Sequence, residues 1–380
     1  FRMYDPVCAS EVERRLSDVG EPLLKGGSAY CNIYTGGAKE PHFCASSLGW
    51  NELFYQARPL AWIGVSVLYL PMLLRTCLRV GLEFALGVVD WLRGCVSGFD
   101  VKAEFKFIFS RVAISVMLRD LITIGACVDI SRGLPIIHLN YLGYDEQAHR
   151  RGPQSAFAHW SLKGIDRCIA KIWSASHRSN DRHYDVWIYS DHGQEATKPY
   201  QALTGMSLVE TVSAAINSLS PELDANLLSI NERIDQQRTN LLGGNWLQKL
   251  FPQPIPGLDS GHSSCSSVIA MGPLGHVYLD SAVLSKLDLV SIAQELVTTA
   301  QLPAVAFIKN GVVQCQCPSG LVTLPAGGAA LFGASHPSLE PAVRDLMALL
   351  RHPSAGHLVV LGWAAGSEAI TFPRENGSHA

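Results

Sequence analysis

Two short segments of the sequence pair a carboxylate with an imidazole. In Tyr144-Asp145-Glu146-Gln147-Ala148-His149-Arg150-Arg151-Gly152-Pro153, Asp145 and His149 stand four apart, so one helical turn sets both on one face. There they can grip a cation at about 2.0 to 2.2 Å. In Ser190-Asp191-His192-Gly193 the two groups are adjacent, and a sharp turn of the kind Gly193 permits is needed to aim both the same way. Alone, each pair is a weak signal, because an Asp and a His at such spacings also serve as hydrogen-bonded turns. Together, each after an apolar run, they suggest oxygen and nitrogen ligands for two divalent ions. Such a pair of ions steadies the attacking and leaving oxygens of a phosphoryl transfer.

The elements that must position these groups follow from the apolar patterning. Residues 134–140 (LPIIHLN) and 184–190 (YDVWIYS) read as buried strands, and 154–173 between them carries Phe157, Trp160, Ile165, Cys168, Ile169 and Ile172 as one helical face. Strand, loop, helix, strand implies a βαβ unit and a parallel sheet covered on both faces. Functional groups gather beyond the carboxyl ends of such strands. Further strands are expected at 29–34, 267–271, 304–308, 357–361 and 369–372, and helices at 9–19, 207–219, 282–299 and 339–350. A second helical region is expected over 105–130. The expected class is α/β, a three-layer α/β/α sandwich with a mostly parallel central sheet. Residues 1–380 are expected to form a single catalytic domain truncated at both ends. The polar stretch 194–261, with a helical piece at 227–241, reads as a cap-like insertion.

Composition narrows the function classes. Lys plus Arg number 30 against 33 Asp plus Glu, with no basic run, so a nucleic-acid polymer is not an expected partner. The 48% apolar and 17% charged residues imply either a large core or a greasy surface. Residues 59–74 are uncharged, Arg75 and Arg79 follow, and 80–92 is apolar again apart from Glu83 and Asp90. That is short of the roughly 18 to 20 apolar residues of a spanning helix, and Pro71 interrupts it. The stretch 58–103 is therefore read as an apolar helical insertion whose residues 58–92 are core, interfacial or spanning, with a membrane surface as an expected partner and membrane association as the expected location. The ten cysteines are scattered and read as small buried hydrophobes; Cys315 and Cys317 share one face of a strand, where bridging would need distorted geometry.

The stretch LNYLGYDEQAHRRGP, followed about forty residues later by SDHG, resembles the D-x-x-x-H-x-x-G-P and S-D-H-G signatures of type I phosphodiesterases, nucleotide pyrophosphatases and alkaline phosphatases. The resemblance implies that Asp145 and His149 serve one ion and Asp191 and His192 the other. It also implies a late histidine completing the first site. His379 in Gly377-Ser378-His379 fits that place, His262 in Ser260-Gly261-His262 is the alternative, and His276 reads as a strand-end residue. Zinc suits these donors, with manganese and iron accepting the same set. Family members carry a Ser or Thr nucleophile before a Tyr-Asp-Pro like Tyr4-Asp5-Pro6, so the resemblance places the nucleophile upstream of Phe1, with Thr35 as a local substitute. Asn140 and Arg150 lie near the motif in sequence and are candidates for substrate oxygens. His138 and Asn140, inside a strand, have a hydrogen-bonded core role as their competing reading.

The implied activity is hydrolysis of a small phosphoester or nucleotide, with phosphodiesters or nucleotide pyrophosphates ahead of phosphomonoesters. The alternatives are sulfatase, phosphotransferase or mutase chemistry on the same metals, and a membrane-associated binding protein without turnover.

Overall fold

The computed structural model describes residues 11–12, 14–16, 20–44, 64, 67–96, 105, 108–109, 112–223, 227–229, 266–363 and 365–379. The Tyr-Asp-Pro at 4–6, most of the apolar run before residue 67, His262 and the helical piece expected after Ser229 lie outside these residues. The chain divides into two compact units, residues 1–148 with 153–191, and residues 149–152 with 192–380.

The first unit runs β1 (Ser28–Tyr30), β2 (Glu40–His42), α1 (Leu70–Val96), a π-helical turn Ala113–Leu118 leading into α2 (Arg119–Ser131), β3 (Ile137–Leu139), α3 (Gly143–Arg151) and α4 (Ala156–His177). Its three strands pair in parallel, in the order β2-β1-β3. Gly27 is required just before β1, because a Cβ there would stand 2.0 Å from the Ile136 carbonyl oxygen. Helix α2 is tied to the sheet through buried polar groups. Tyr30 Oη donates to Asp129 Oδ2 at 2.6 Å, and Arg132 bridges Asp129 and Glu40. Helix α4 starts where the Ser155 hydroxyl accepts the Ala158 N–H, the cap expected of a serine at that position.

Residues 184–190 do not form the expected strand. They carry no ladder, and Trp187, Ile188 and Tyr189 are exposed. The segment is held instead by side chains: Tyr184 Oη donates to the Leu134 carbonyl at 2.8 Å, and Tyr189 Oη bonds to His138 Nε2. Aromatic and β-branched residues fit a pleated surface, but that preference creates no strand without a partner edge.

The second unit runs β4 (Gln194–Pro199), α5 (Tyr200–Thr204), α6 (Leu208–Leu219), β5 (Leu228–Ser229), β6 (Ser267–Met271), β7 (Leu274–Tyr278), α7 (Ser281–Lys286), α8 (Leu289–Thr298), β8 (Ala304–Lys309), β9 (Val312–Cys317), β10 (Gly320–Thr323), α9 (Gly328–Phe332), α10 (Leu339–Leu350), β11 (Leu358–Leu361), β12 (Ala369–Thr371) and β13 (Gly377–His379). Its large sheet has the order β10-β9-β8-β11-β7-β6-β5. All pairings from β10 through β6 are antiparallel; only the short edge strand β5 joins in parallel. One face packs Val305, Phe307, Leu358 and Val360 against Val212 and Ile216 of α6 and Ile292 and Leu296 of α8. The other packs Ala304, Ala306, Val359 and Leu361 against Val343, Leu346 and Leu350 of α10. Residues 194–219, read from sequence as part of a cap, supply β4, α5 and α6, and Tyr200, Leu208, Val212 and Ile216 are buried in this core.

The mostly parallel central sheet of an alkaline phosphatase-like sandwich is therefore corrected to an antiparallel one. A strand buried on both faces reads as a continuous apolar run whichever way its neighbours point, so 304–307 and 358–361 carry no directional signal. The turns do. Asn310-Gly311, at φ 52° and 76°, joins β8 to β9 as a two-residue hairpin, and Gly272-Pro273, with Gly272 at φ 55°, joins β6 to β7. Cys315 and Cys317 lie buried on β9 with their sulfurs 3.8 Å apart, unbridged.

Two imidazoles, His276 half-buried and His357 on an exposed residue, tie the start of β11 to β7. His276 Nδ1 accepts the Gly356 N–H at 3.1 Å, and His357 Nδ1 accepts the Leu279 N–H at 2.9 Å. Burial lowers both pKa values below the ordinary imidazole value. Because the folded values lie below the unfolded one, the stabilisation is present above about pH 6.5 and is lost as pH falls through the lowered values. We expect the thermal midpoint to hold between pH 7.5 and 8.5 and to fall below about pH 6. Replacing both rings with Asn should flatten that fall, and an unchanged slope in differential scanning calorimetry would reject these two groups as its source.

Candidate metal centre

Helix α3 passes from the first unit into the second between Ala148 and His149. Its first turn carries Asp145 and Glu146 and its last carries His149, Arg150 and Arg151, a charge order that opposes the helix dipole favourably at both ends. The end of the helix is fastened within the second unit by Asn376. Its backbone N–H donates to the His149 carbonyl at 2.8 Å and its side-chain amide to the Arg150 carbonyl at 2.8 Å. These are two of the carbonyls that a helix C-terminus otherwise leaves unmatched. Gly152, at φ 87°, then turns the chain away.

Three residues beyond Asn376 stands His379. Strand β13 pairs antiparallel with β4 so that His379 is opposite Gln194, and His192 comes two residues earlier on the partner chain segment. Chain ties therefore bring three imidazoles together. The His149 and His379 Nε2 atoms are 3.0 Å apart, and the His192 ring stacks on His379 with centroids 3.6 Å apart and planes at 24°.

The outer edges of two rings are already engaged. His149 Nδ1 is 3.0 Å from the Gly377 carbonyl oxygen and 3.3 Å from a Glu375 carboxylate oxygen. His192 Nδ1 is 2.9 Å from the Gly193 carbonyl oxygen. A carbonyl can only accept, so in each ring Nδ1 carries a proton, and in the neutral form of the ring Nε2 is the nitrogen with the lone pair. His379 Nε2 must then donate to His149 Nε2. A cation can replace that proton: two ligands at about 2.0 to 2.1 Å in a tetrahedral site lie roughly 3.3 Å apart. A ring whose far nitrogen donates to a carboxylate or carbonyl is the usual preparation of a metal-binding histidine.

The remaining candidates are distributed as follows. Asp145 lies one helical turn before His149, and Asp191 immediately precedes His192; both carboxylates belong to the first unit. The sequence reading divides His149 and His379 from His192 between two ions, whereas the structure clusters all three rings. Thr35 sits in the turn between β1 and β2, where its hydroxyl accepts the Gly37 N–H at 3.3 Å. The Asn140 N–H donates to the Tyr30 carbonyl and prolongs the β1·β3 pairing. His138 bonds through both ring nitrogens, to Asn32 and to Tyr189, and burial lowers its pKa. His276 is the half-buried strand residue described above. Arg150 enters the cluster through its carbonyl. Sequence reasoning passed over Glu375 and Asn376, although Asn376-Gly377 shortly before a candidate histidine is a turn signal.

Long-range proton–nitrogen NMR of the metal-free protein at pH 8 should find His149 and His192 as Nδ1–H tautomers and His379 as the Nε2–H tautomer. An Nε2–H signal from His149 would contradict the arrangement.

No family model matches this chain, and no curated protein or solved structure matches it.

Proposed function

We propose that this protein hydrolyses phosphoesters, diesters ahead of monoesters, with divalent ions of the zinc type. His149, His192 and His379 supply the imidazole ligands. Asp145, one helical turn before His149 in the sequence, and Asp191, which precedes His192, are the carboxylates the two motifs offer. The observation that carries the reading is that His379 meets two other rings, Nε2 to Nε2 with His149 and stacked with His192, both of which have Nδ1 on carbonyl or carboxylate oxygen. Nitrogen and carboxylate donors together suit zinc, and manganese or iron accept them. The D-x-x-x-H and S-D-H-G motifs favour phosphoesters over other substrates of such ions.

A bound ion of this class supplies Lewis acidity toward phosphate oxygens and toward the attacking oxygen. The protein's own part is preparation. Glu375 and Gly377 fix the plane of His149, Gly193 fixes His192, and the stack of His192 on His379 restrains both rings. Asn376 keeps the end of α3 in register with β13. An ion held on His379 Nε2 would require that ring's proton to sit on Nδ1, a change of tautomer that releases no proton from a neutral imidazole.

The test is calorimetric titration of the chelator-treated protein with zinc and with manganese in buffers of different ionisation enthalpy. It is followed by assay on bis(p-nitrophenyl) phosphate and p-nitrophenyl phosphate. We expect saturable binding, about a hundredfold weaker in His149→Ala and about tenfold weaker in Glu375→Gln. The diester should turn over faster. No saturable binding rejects the metal centre; binding without turnover of either ester rejects the hydrolase assignment.

A further inference from the structure

Helix α1 is built inside out for a helix in water. Three of the residues it turns inward are polar. Thr76 donates to Asp120 Oδ2 at 2.5 Å, Arg79 lies 3.8 Å from the same carboxylate, and Glu83 is only 3% exposed. Asp120 is itself buried and is further held by Arg119. The residues turned outward are apolar: Leu70, Leu74, Leu78, Leu82, Leu86, Val89 and Leu92, with Leu78 76% exposed. Positions 70, 74, 78, 82 and 86 recur every fourth residue, so they form one stripe along the helix. Burying ions costs several kcal/mol each even when paired. Leaving leucines in water forfeits roughly 25 cal/mol for each Å² of apolar surface. A contiguous apolar face of this kind marks a surface that meets a partner or a membrane.

What meets that face is indicated by charge. Where α1 begins, a cavity of about 770 Å³ opens between Leu68, Tyr69, Pro71 and Met72 on one side and helix α4 on the other. Arg75, Lys171 and Arg178 line it, against a single acid, Asp181. Leucines flanked by such cations match acyl chains beneath anionic headgroups. No helix among the described residues is long and apolar enough to cross a membrane.

We propose that α1 lies in the plane of an anionic lipid surface, its leucine stripe among the upper acyl chains and Arg75, Lys171 and Arg178 on the headgroups. This gives the protein a membrane-docking face in its first unit, independent of the metal centre.

The test is co-sedimentation of the whole chain with vesicles of phosphatidylcholine alone or with about one-third phosphatidylglycerol, over a salt series. We expect binding to the anionic vesicles that weakens with salt. Leu74→Glu/Leu78→Glu should weaken it at least about tenfold, and each charge reversal among Arg75, Lys171 and Arg178 about fivefold. If the double variant lacks native circular dichroism, Leu78→Ser is read in its place. Three results would overturn the proposal: no binding to either vesicle, equal binding of wild type and the leucine variants, or a vesicle-free dimer that Leu78→Ser dissociates, which would assign the face to a second copy.

Discussion

The candidate site depends on a single fastening. Asn376 supplies two hydrogen bonds to the last carbonyls of helix α3, and so holds His149 at a fixed distance from a strand that ends three residues later in His379. Each bond has a net worth of about 1 kcal/mol, modest beside the burial of the core. Their importance is positional. Without them nothing in the helix itself would fix His149 to the Glu375–Gly377 segment, and the proton on its Nδ1 would have no assigned acceptor. Orientation of the rings precedes any chemistry they perform, because a ligand nitrogen turned by one tautomer is a donor rather than a lone pair.

The sequence made the imidazoles legible and the sheet illegible, for different physical reasons. His149 and His192 stand in motifs whose spacing restricts what a short turn can do, so local geometry already constrains them, whereas His379 comes only from the resemblance, with His262 as its alternative. Strand direction is a long-range property. The runs 304–307 and 358–361 are apolar because both faces of β8 and β11 are covered, and that fact is indifferent to whether β11 runs with or against its neighbours. The information lay in small residues, the Asn310-Gly311 and Gly272-Pro273 turns, which demand hairpins. Residues 184–190 show the reverse case: strong strand propensity with Trp187 84% exposed and no ladder. The stacking of His192 on His379 was also beyond local reasoning, since it follows from the register of β13 on β4, separated by nearly the whole second unit.

The apolar composition resolves in two directions. Much of it fills the two faces of the antiparallel sheet, as a large core requires. The rest lies outward on α1 while Thr76, Arg79 and Glu83 turn in toward Asp120 and Arg119. Hydrophobic pattern alone marked this stretch as unusual. Which face carried the polar groups could not be read from it, because a helix with apolar residues on most sides has no unique inward stripe until its ion pairs are placed.

Zinc K-edge X-ray absorption on the zinc-loaded protein reads the imidazole ligands themselves. We expect a first shell near 2.0 to 2.1 Å with outer-shell scattering from imidazole that diminishes in His379→Ala. A first shell of oxygen alone, without imidazole scattering and unchanged by that substitution, would contradict it.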